Sequence, residues 1–217
     1  MTEWRELKTK EEFNTGDILL FHHNNNFSTV ENSLFSIFTD LIMWATGSKY
    51  SHTAIIIKDP NFTNPPLKGL YILESSYENF PDVENKEYKL GVELEEFDKV
   101  METYKDGEVY WRKLVCKRDA SFYEKLAEAH SVVHNRPYDI IPTDWLKAAL
   151  HINKGNIQKK KTFWCSALVA YMYVSWGFLD KETPWTLVSP KMLGTELPNK
   201  YELEFNNCKI ESEVKII

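Results

Sequence analysis

Three side chains of this sequence form a set that could carry out nucleophilic acyl transfer: Cys165, His52 and Glu74. A thiol attacks a carbonyl carbon when a nearby imidazole takes its proton. A carboxylate beside the imidazole fixes the tautomer of the ring and stabilises its cation. The three residues lie far apart along the chain, so this chemistry depends on a fold that brings them together.

The residues around Cys165 predict the start of a helix. Thr162 is a suitable N-cap, and the apolar segment 163–176 follows it and ends at Gly177. This places Cys165 at about the third helical position, where backbone N–H groups and the helix dipole favour a thiolate. The alternative is a buried structural cysteine. Cys116 and Cys208 have no such helix start, and we assign them that structural role.

His52 and Glu74 lie on two predicted strands, 51–58 and 70–76, which are joined by a loop rich in Pro and Asn. In an antiparallel hairpin, directly opposed residues have a constant index sum, and this pair sums to 126. Register shifts of two residues keep both side chains on one face, as direct or diagonal neighbours about 5–8 Å apart. The alternative is an exposed carboxylate and an ordinary core histidine.

The other segments mix strands and helices without regular βαβ alternation, which favours an α+β domain over a doubly wound sheet. Strands are predicted at 18–21, 91–94 and 109–116, and helices at 28–44, 95–104, 121–133 and 145–151. Ser121 and Glu124 form a capping box for the third of these helices. The segment 78–108 carries eleven acidic residues and four lysines, and we expect it to be an acidic insertion, either a lid beside the site or a solubilising flank.

Composition excludes several classes of protein. With 26 basic and 32 acidic residues, the net charge of −6 argues against a nucleic-acid-binding protein. The three cysteines are an odd set without a CxxC pair, which favours a reducing compartment. The longest apolar stretch, 34–45, contains Asp40 and is too short to cross a bilayer. No secretory leader is visible, so a cytoplasmic protein without a transmembrane segment is expected.

Five sequence elements together resemble a known family. They are TGDILLF, YSHTAIII, YILESS, GVELEEF and TFWCSALVAYMY, in that order. They are similar to the permuted papain-like cysteine hydrolases of the NlpC/P60 superfamily, in particular the YiiX-like group and its relatives in large DNA viruses. The order His, Glu, Cys is typical of the permuted branch. The resemblance covers about 15–193 and implies a single circularly permuted papain-like domain over 1–217.

The resemblance also implies a role for each site residue. Cys165 would be the nucleophile, His52 the general base and acid, and Glu74 the orienting third member. Tyr138, in the sequence RPYD, resembles a tyrosine that helps to hold the oxyanion in this superfamily. Its distance of 27 positions from Cys165, with a predicted helix between, exceeds the family pattern. The second oxyanion donor would be the backbone N–H of Cys165.

The predicted function is therefore a cysteine-dependent hydrolase or acyltransferase. It would act on an amide or ester of a small molecule, lipid or peptide through a thioester, and it would need no cofactor. Two other classes stay open. One is a non-catalytic lipid- or peptide-binding module on the same fold, and the other is an interaction protein in which the three residues coincide by chance.

A metal site is not predicted from sequence. His130 and His134 are four residues apart on a predicted helix, a spacing that suits zinc, but their motif HSVVH lacks the glutamate of HExxH and an evident third ligand.

Overall fold

The computed structural model describes residues 10–22, 48–76, 80–138, 161–195 and 203–217. The helices predicted at 28–44 and 145–151 lie outside these ranges. The described strands are β1 (Ile18–His22), β2 (His52–Lys58), β3 (Leu70–Ser76), β4 (Gly91–Glu96), β5 (Glu108–Arg112), β6 (Leu114–Val115), β7 (Lys209–Ile210) and β8 (Val214–Lys215). The described α-helices are α1 (Phe97–Thr103), α2 (Ala120–Val133), α3 (Cys165–Trp176) and α4 (Pro190–Leu193), with short 3₁₀ turns at Lys10–Glu12 and Trp185–Leu187.

Six of the described strands form one antiparallel sheet in the order β4-β3-β2-β1-β5-β8. Strands β6 and β7 form a separate pair. Helix α3 packs against β2 and β3, and α2 packs against α3. The expected α+β class, with an antiparallel sheet packed against helices, is thus confirmed.

The central strands are buried on both faces, which explains their continuous apolar sequence. In β2, Ile55 and Ile57 face a core that they share with α2 and α3. Ala54 and Ile56 point to the opposite face and pack with residues of α1. His52 has the same parity as Ala54, so the sheet presents it on the α1 face, as the strand period predicts.

The β2–β3 register differs from the direct pairing of His52 with Glu74. Ile55 lies opposite Leu73 and Lys58 lies opposite Leu70. These index sums of 128 are a shift of two residues from 126. Since side-chain direction repeats every two residues, His52 and Glu74 stay on one face as diagonal neighbours.

Two predicted helix caps are wrong. Helix α2 is capped by Asp119, whose side chain accepts a hydrogen bond from the backbone N–H of Phe122, and not by Ser121. Helix α3 has Trp164 at its N-cap, without a side-chain cap, so Thr162 lies outside the helix. Phe163 instead donates its backbone N–H to Pro137 O (3.1 Å), which keeps the chain extended until Cys165. The predicted end at Gly177 is confirmed, since this residue takes the left-handed conformation with φ of 79°.

Candidate active site

Cys165 is the first residue of α3. Its thiol makes a hydrogen bond with the His52 side chain and accepts from the backbone N–H groups of Thr53 and Ser166. The side chain is almost fully buried, with 1% of its surface exposed. The helix start therefore supplies one N–H donor to the sulfur, from Ser166, and strand β2 supplies the other, from Thr53. Cys165 occupies the first helical position rather than the third.

His52 lies between the thiol and a carboxylate. Its Nε2 atom is 2.5 Å from Glu74 Oε2, and both side chains are buried. The ring also packs against Phe21, with ring centroids 5.3 Å apart. The fold thus brings together the three side chains selected from sequence, in the order thiol, imidazole, carboxylate.

These contacts favour a thiolate–imidazolium pair. Burial lowers the pKa of His52, but the Glu74 carboxylate and the Cys165 thiolate outweigh it and raise this pKa to about 10. Burial raises the pKa of Cys165, but the His52 hydrogen bond and charge and the backbone donors lower it below its ordinary value. The pKa of Glu74 is also lowered, because His52 outweighs the effect of burial.

Cys116 and Cys208 lack these partners. Burial raises the pKa of Cys116, and it raises the pKa of Cys208 to about 11. All three thiols are free. A thiolate at neutral pH is therefore favoured at Cys165 alone among the three cysteines.

Strand β4 adds two carboxyl groups that sequence analysis did not select. Glu93 lies opposite Glu74 in the β3–β4 pairing, and Glu95 shares its face. One oxygen from each of the three groups lies within 4.8 Å of the others. The alternation in GVELEE signals that Glu93 and Glu95 share a face, but not that this face meets Glu74.

Glu95 is protonated at neutral pH. Burial is the largest cause, the Glu74 and Glu93 charges add to it, and together they raise the pKa of Glu95 to about 10. A carboxylic acid in this state donates its proton in the hydrogen bond with Glu74. Glu95 is therefore a fourth member of the site. It acts as a positioning residue, because it holds Glu74, which in turn holds His52.

We expect Glu95→Ala to slow alkylation of Cys165 at neutral pH by roughly tenfold, equivalent to about 1.4 kcal/mol. The change removes the donor that holds Glu74, so the imidazolium is less well stabilised. Glu95→Gln keeps an N–H donor and should restore most of the rate. Thiol alkylation followed over a pH series measures both. Equal losses in the two variants would contradict a hydrogen-bonding role and indicate general damage to the core.

Two tyrosines lie near this site. The backbone of Tyr138 bridges to Phe163, two residues before Cys165, so the tyrosine predicted as an oxyanion group lies on a segment that adjoins the nucleophile. Tyr104 was not selected from sequence. Its ring packs on Phe21 at 4.4 Å. Burial raises the pKa of Tyr104 far above its ordinary value, and the charges of Glu74 and Cys165 add to this, so its hydroxyl stays protonated.

A second group of polar side chains lies apart from this set. His130 and His134, at the end of α2, both contact the carboxylate of Glu84. The sequence shows no evident third partner for this histidine pair. Glu84 lies in a loop 46 positions before His130. Sequence periodicity relates only residues of one helix or strand, so it could not predict this contact.

No family model matches the sequence, and no curated protein matches it. The structure is similar to that of the metalloprotein yiiX from Escherichia coli O157:H7, with 18% sequence identity and a TM-score of 0.45. The match covers 75% of this chain and 66% of the bacterial chain. The bacterial structure is a distant likeness at the level of the fold alone.

None of the helices in the described ranges combines the length and the apolar composition that a membrane span needs.

Proposed function

We propose that this protein is a cysteine-dependent hydrolase or acyltransferase that acts on an amide or ester bond. The observation that carries the proposal is the chain of contacts from the Cys165 thiol through His52 to Glu74. In this arrangement the imidazole can take the thiol proton and return it to a leaving group, while the carboxylate keeps the ring oriented.

The reaction begins when the Cys165 thiolate attacks the substrate carbonyl carbon. The carbonyl oxygen becomes an oxyanion, and the backbone N–H of Cys165, at the helix start, is one donor for it. Collapse of this intermediate forms a thioester and breaks the bond to the amine or alcohol, which leaves with the proton held by His52. Water or an acceptor, deprotonated by His52, then attacks the thioester and releases the thiol. These residues need no cofactor for any step.

The order His52, Glu74, Cys165 along the chain supports a circularly permuted papain-like fold of the NlpC/P60 type. The antiparallel sheet supplies the imidazole and carboxylate, and the start of α3 supplies the thiol. We place this chemistry in a single domain over 1–217, with a small molecule, lipid or peptide as substrate and the cytoplasm as its location.

Alkylation over a pH series tests the proposal. We expect iodoacetamide to modify Cys165 at a nearly constant rate from about pH 9 to about pH 7, because its pKa is lowered and the thiolate persists. Reactivity should fall only as pH falls through that lowered pKa. Cys116 and Cys208 should slow roughly tenfold for each unit below their raised pKa values. Peptide mass spectrometry resolves the three rates in one sample.

The matched control is His52→Gln, which removes the imidazole and should return Cys165 to the ordinary pH dependence of a thiol. If the three cysteines of the unmodified protein show the same pH dependence, the thiolate–imidazolium pair does not exist and the proposal fails.

The burial of Cys165 favours a second candidate, a binding module on the same fold that holds a lipid or peptide without turnover. A thiol with 1% exposure reaches a substrate only through local opening. This alternative predicts ligand binding that survives Cys165→Ala and no acylated intermediate with any donor.

A further inference from the structure

We propose that Glu84, His130 and His134 form a binding site for a zinc-class divalent cation, separate from the Cys165 site. Two imidazoles and one carboxylate are a ligand set that zinc accepts, with a fourth position left for water. The proposal does not depend on the proposed function.

The three donor groups converge without rearrangement of the backbone. Glu84 Oε2 is 2.9 Å from His130 Nε2 and 3.2 Å from His134 Nδ1, and one ligand atom of each residue lies within 4.8 Å of the others. Ligands at about 2.0–2.2 Å from zinc are about 3.3 Å apart in a tetrahedron. The two separations from Glu84 Oε2 are therefore close to those that a bound cation requires.

The surroundings hold these ligands in place. The Phe62 ring packs on His130 with centroids 4.2 Å apart. The Glu84 backbone N–H donates to Asp82 Oδ1 at 2.8 Å, and Asp82 is itself paired with Lys89. A carboxylate ligates a cation in its ionised form.

The exposure of the three side chains leaves a path by which a cation could reach the site from solvent. The side chains of His130 and Glu84 are 8% and 14% exposed, whereas His134 is 33% exposed. A cation would approach past His134, and a water molecule on that side would complete the coordination. Imidazoles ligate a cation in their neutral form.

A bound cation would brace a segment next to the nucleophile. Residues 136–138 follow the histidine pair and lie between β4 and the stretch that precedes α3. Val92 N–H donates to Arg136 O at 2.8 Å, and Phe163 N–H donates to Pro137 O at 3.1 Å. The site would thus tie the end of α2 and the loop residues 82–89 to residues 136–138, which contact the segment before Cys165.

Asn135 provides a specific test of coordination by His134. Its Nδ2 donates to His134 Nε2 at 2.9 Å, and its Oδ1 accepts from Lys89 Nζ at 2.6 Å. A cation on His134 Nδ1 leaves the ring proton on Nε2, so the exposed Asn135 amide must turn to accept it. Asn135→Asp removes this cost, since one oxygen can accept from His134 and the other from Lys89. A carboxylate behind a ligating histidine strengthens metal binding.

The experiment titrates the metal-free protein with Zn²⁺ by calorimetry and with Co²⁺ by visible absorption. We expect one tight equivalent of Zn²⁺, and a cobalt spectrum without a sulfur-to-metal charge-transfer band. His130→Ala, His134→Ala and Glu84→Gln should each weaken binding by at least about tenfold, and Asn135→Asp should tighten it by about tenfold. His22→Ala and Glu87→Gln, outside the cluster, are controls that should bind as the unmodified protein does. Circular dichroism of each metal-free variant establishes that it is folded.

Three outcomes would overturn the site. The first is the absence of a stoichiometric Zn²⁺ equivalent, in which case the shared oxygen of Glu84 only accepts hydrogen bonds from the two histidines. The second is binding that survives all three ligand variants. The third is a sulfur charge-transfer band that disappears in Cys165→Ala, which would place the cation on the thiol. Since none of these readouts is an enzyme activity, they are independent of the acyl-transfer proposal.

Discussion

Cys165→Ala is expected to abolish acyl-enzyme formation. With p-nitrophenyl acetate as a small acyl donor, the unmodified protein should release a burst of one nitrophenolate per chain and acquire one acetyl group on Cys165. The variant lacks the sulfur that forms the thioester, so the burst should disappear and the rate should fall by at least about a thousandfold. Stopped-flow absorbance measures the burst, and peptide mass spectrometry locates the acetyl group.

Cys116→Ala and Cys208→Ala are the matched controls, because each removes one thiol from a site that lacks the imidazole partner. Both should keep the burst. His52→Gln should lose it to a similar extent as Cys165→Ala, since residues that act as one unit show non-additive losses. An acetyl group found on Cys116 or Cys208 in the unmodified protein, with Cys165 unlabelled, would refute the assignment of the nucleophile.

Asp17→Ala is expected to destabilise the fold by about 3–5 kcal/mol. The Asp17 carboxylate is fully buried beside β1. It accepts from the Trp111 indole at 2.8 Å and the Leu114 backbone N–H at 3.0 Å, and it lies 3.3 Å from the Arg118 guanidinium. Alanine removes the acceptor that these buried donors share. Urea denaturation should show a lower midpoint with an unchanged slope.

Asp17→Asn separates the hydrogen bonds from the charge. It keeps the shape and one acceptor oxygen, so its loss should be smaller than that of Asp17→Ala. Arg118→Ala, which removes a partly exposed partner (19% exposed), should cost about 1 kcal/mol or less. A loss below about 1 kcal/mol for Asp17→Ala would show that water replaces the carboxylate in this position.

The proximity of His52 and Glu74 could be predicted from the alternation of side chains along a strand. Side chains alternate with a period of two residues, so His52 and Glu74 stay on one face in any register that differs by two. The register found, two residues from direct pairing, changes the contact from opposed to diagonal but leaves the pair together. The parity of GVELEE similarly places Glu93 and Glu95 on one face.

The position of Cys165 within its helix was predicted less well. Thr162 is a residue type that often caps helices, but Phe163 pairs with Pro137 in an extended conformation, so the helix begins only at Cys165. The preference of Thr162 for an N-cap position is worth about 1 kcal/mol. The backbone contact of Phe163 with Pro137, a residue distant in sequence, overrides this preference. The consequence for the thiol is small, because backbone N–H groups lie at the first turn of the helix in both arrangements.

Periodicity and neighbours within a few residues were enough to predict β1 to β4, α1 to α3, the shared face of His52 and Glu74, and a helix start near the thiol. The single strand predicted at 109–116 is wrong, because the structure divides it into β5 and β6, which pair with different strands, and β7, β8 and α4 were not predicted. Three contacts became visible only in the folded protein: the Cys165 sulfur with His52, Glu95 with Glu74, and Glu84 with His130 and His134. These contacts join residues that are separated by tens of positions or more. They are selected by the packing of the whole core, which no local pattern encodes.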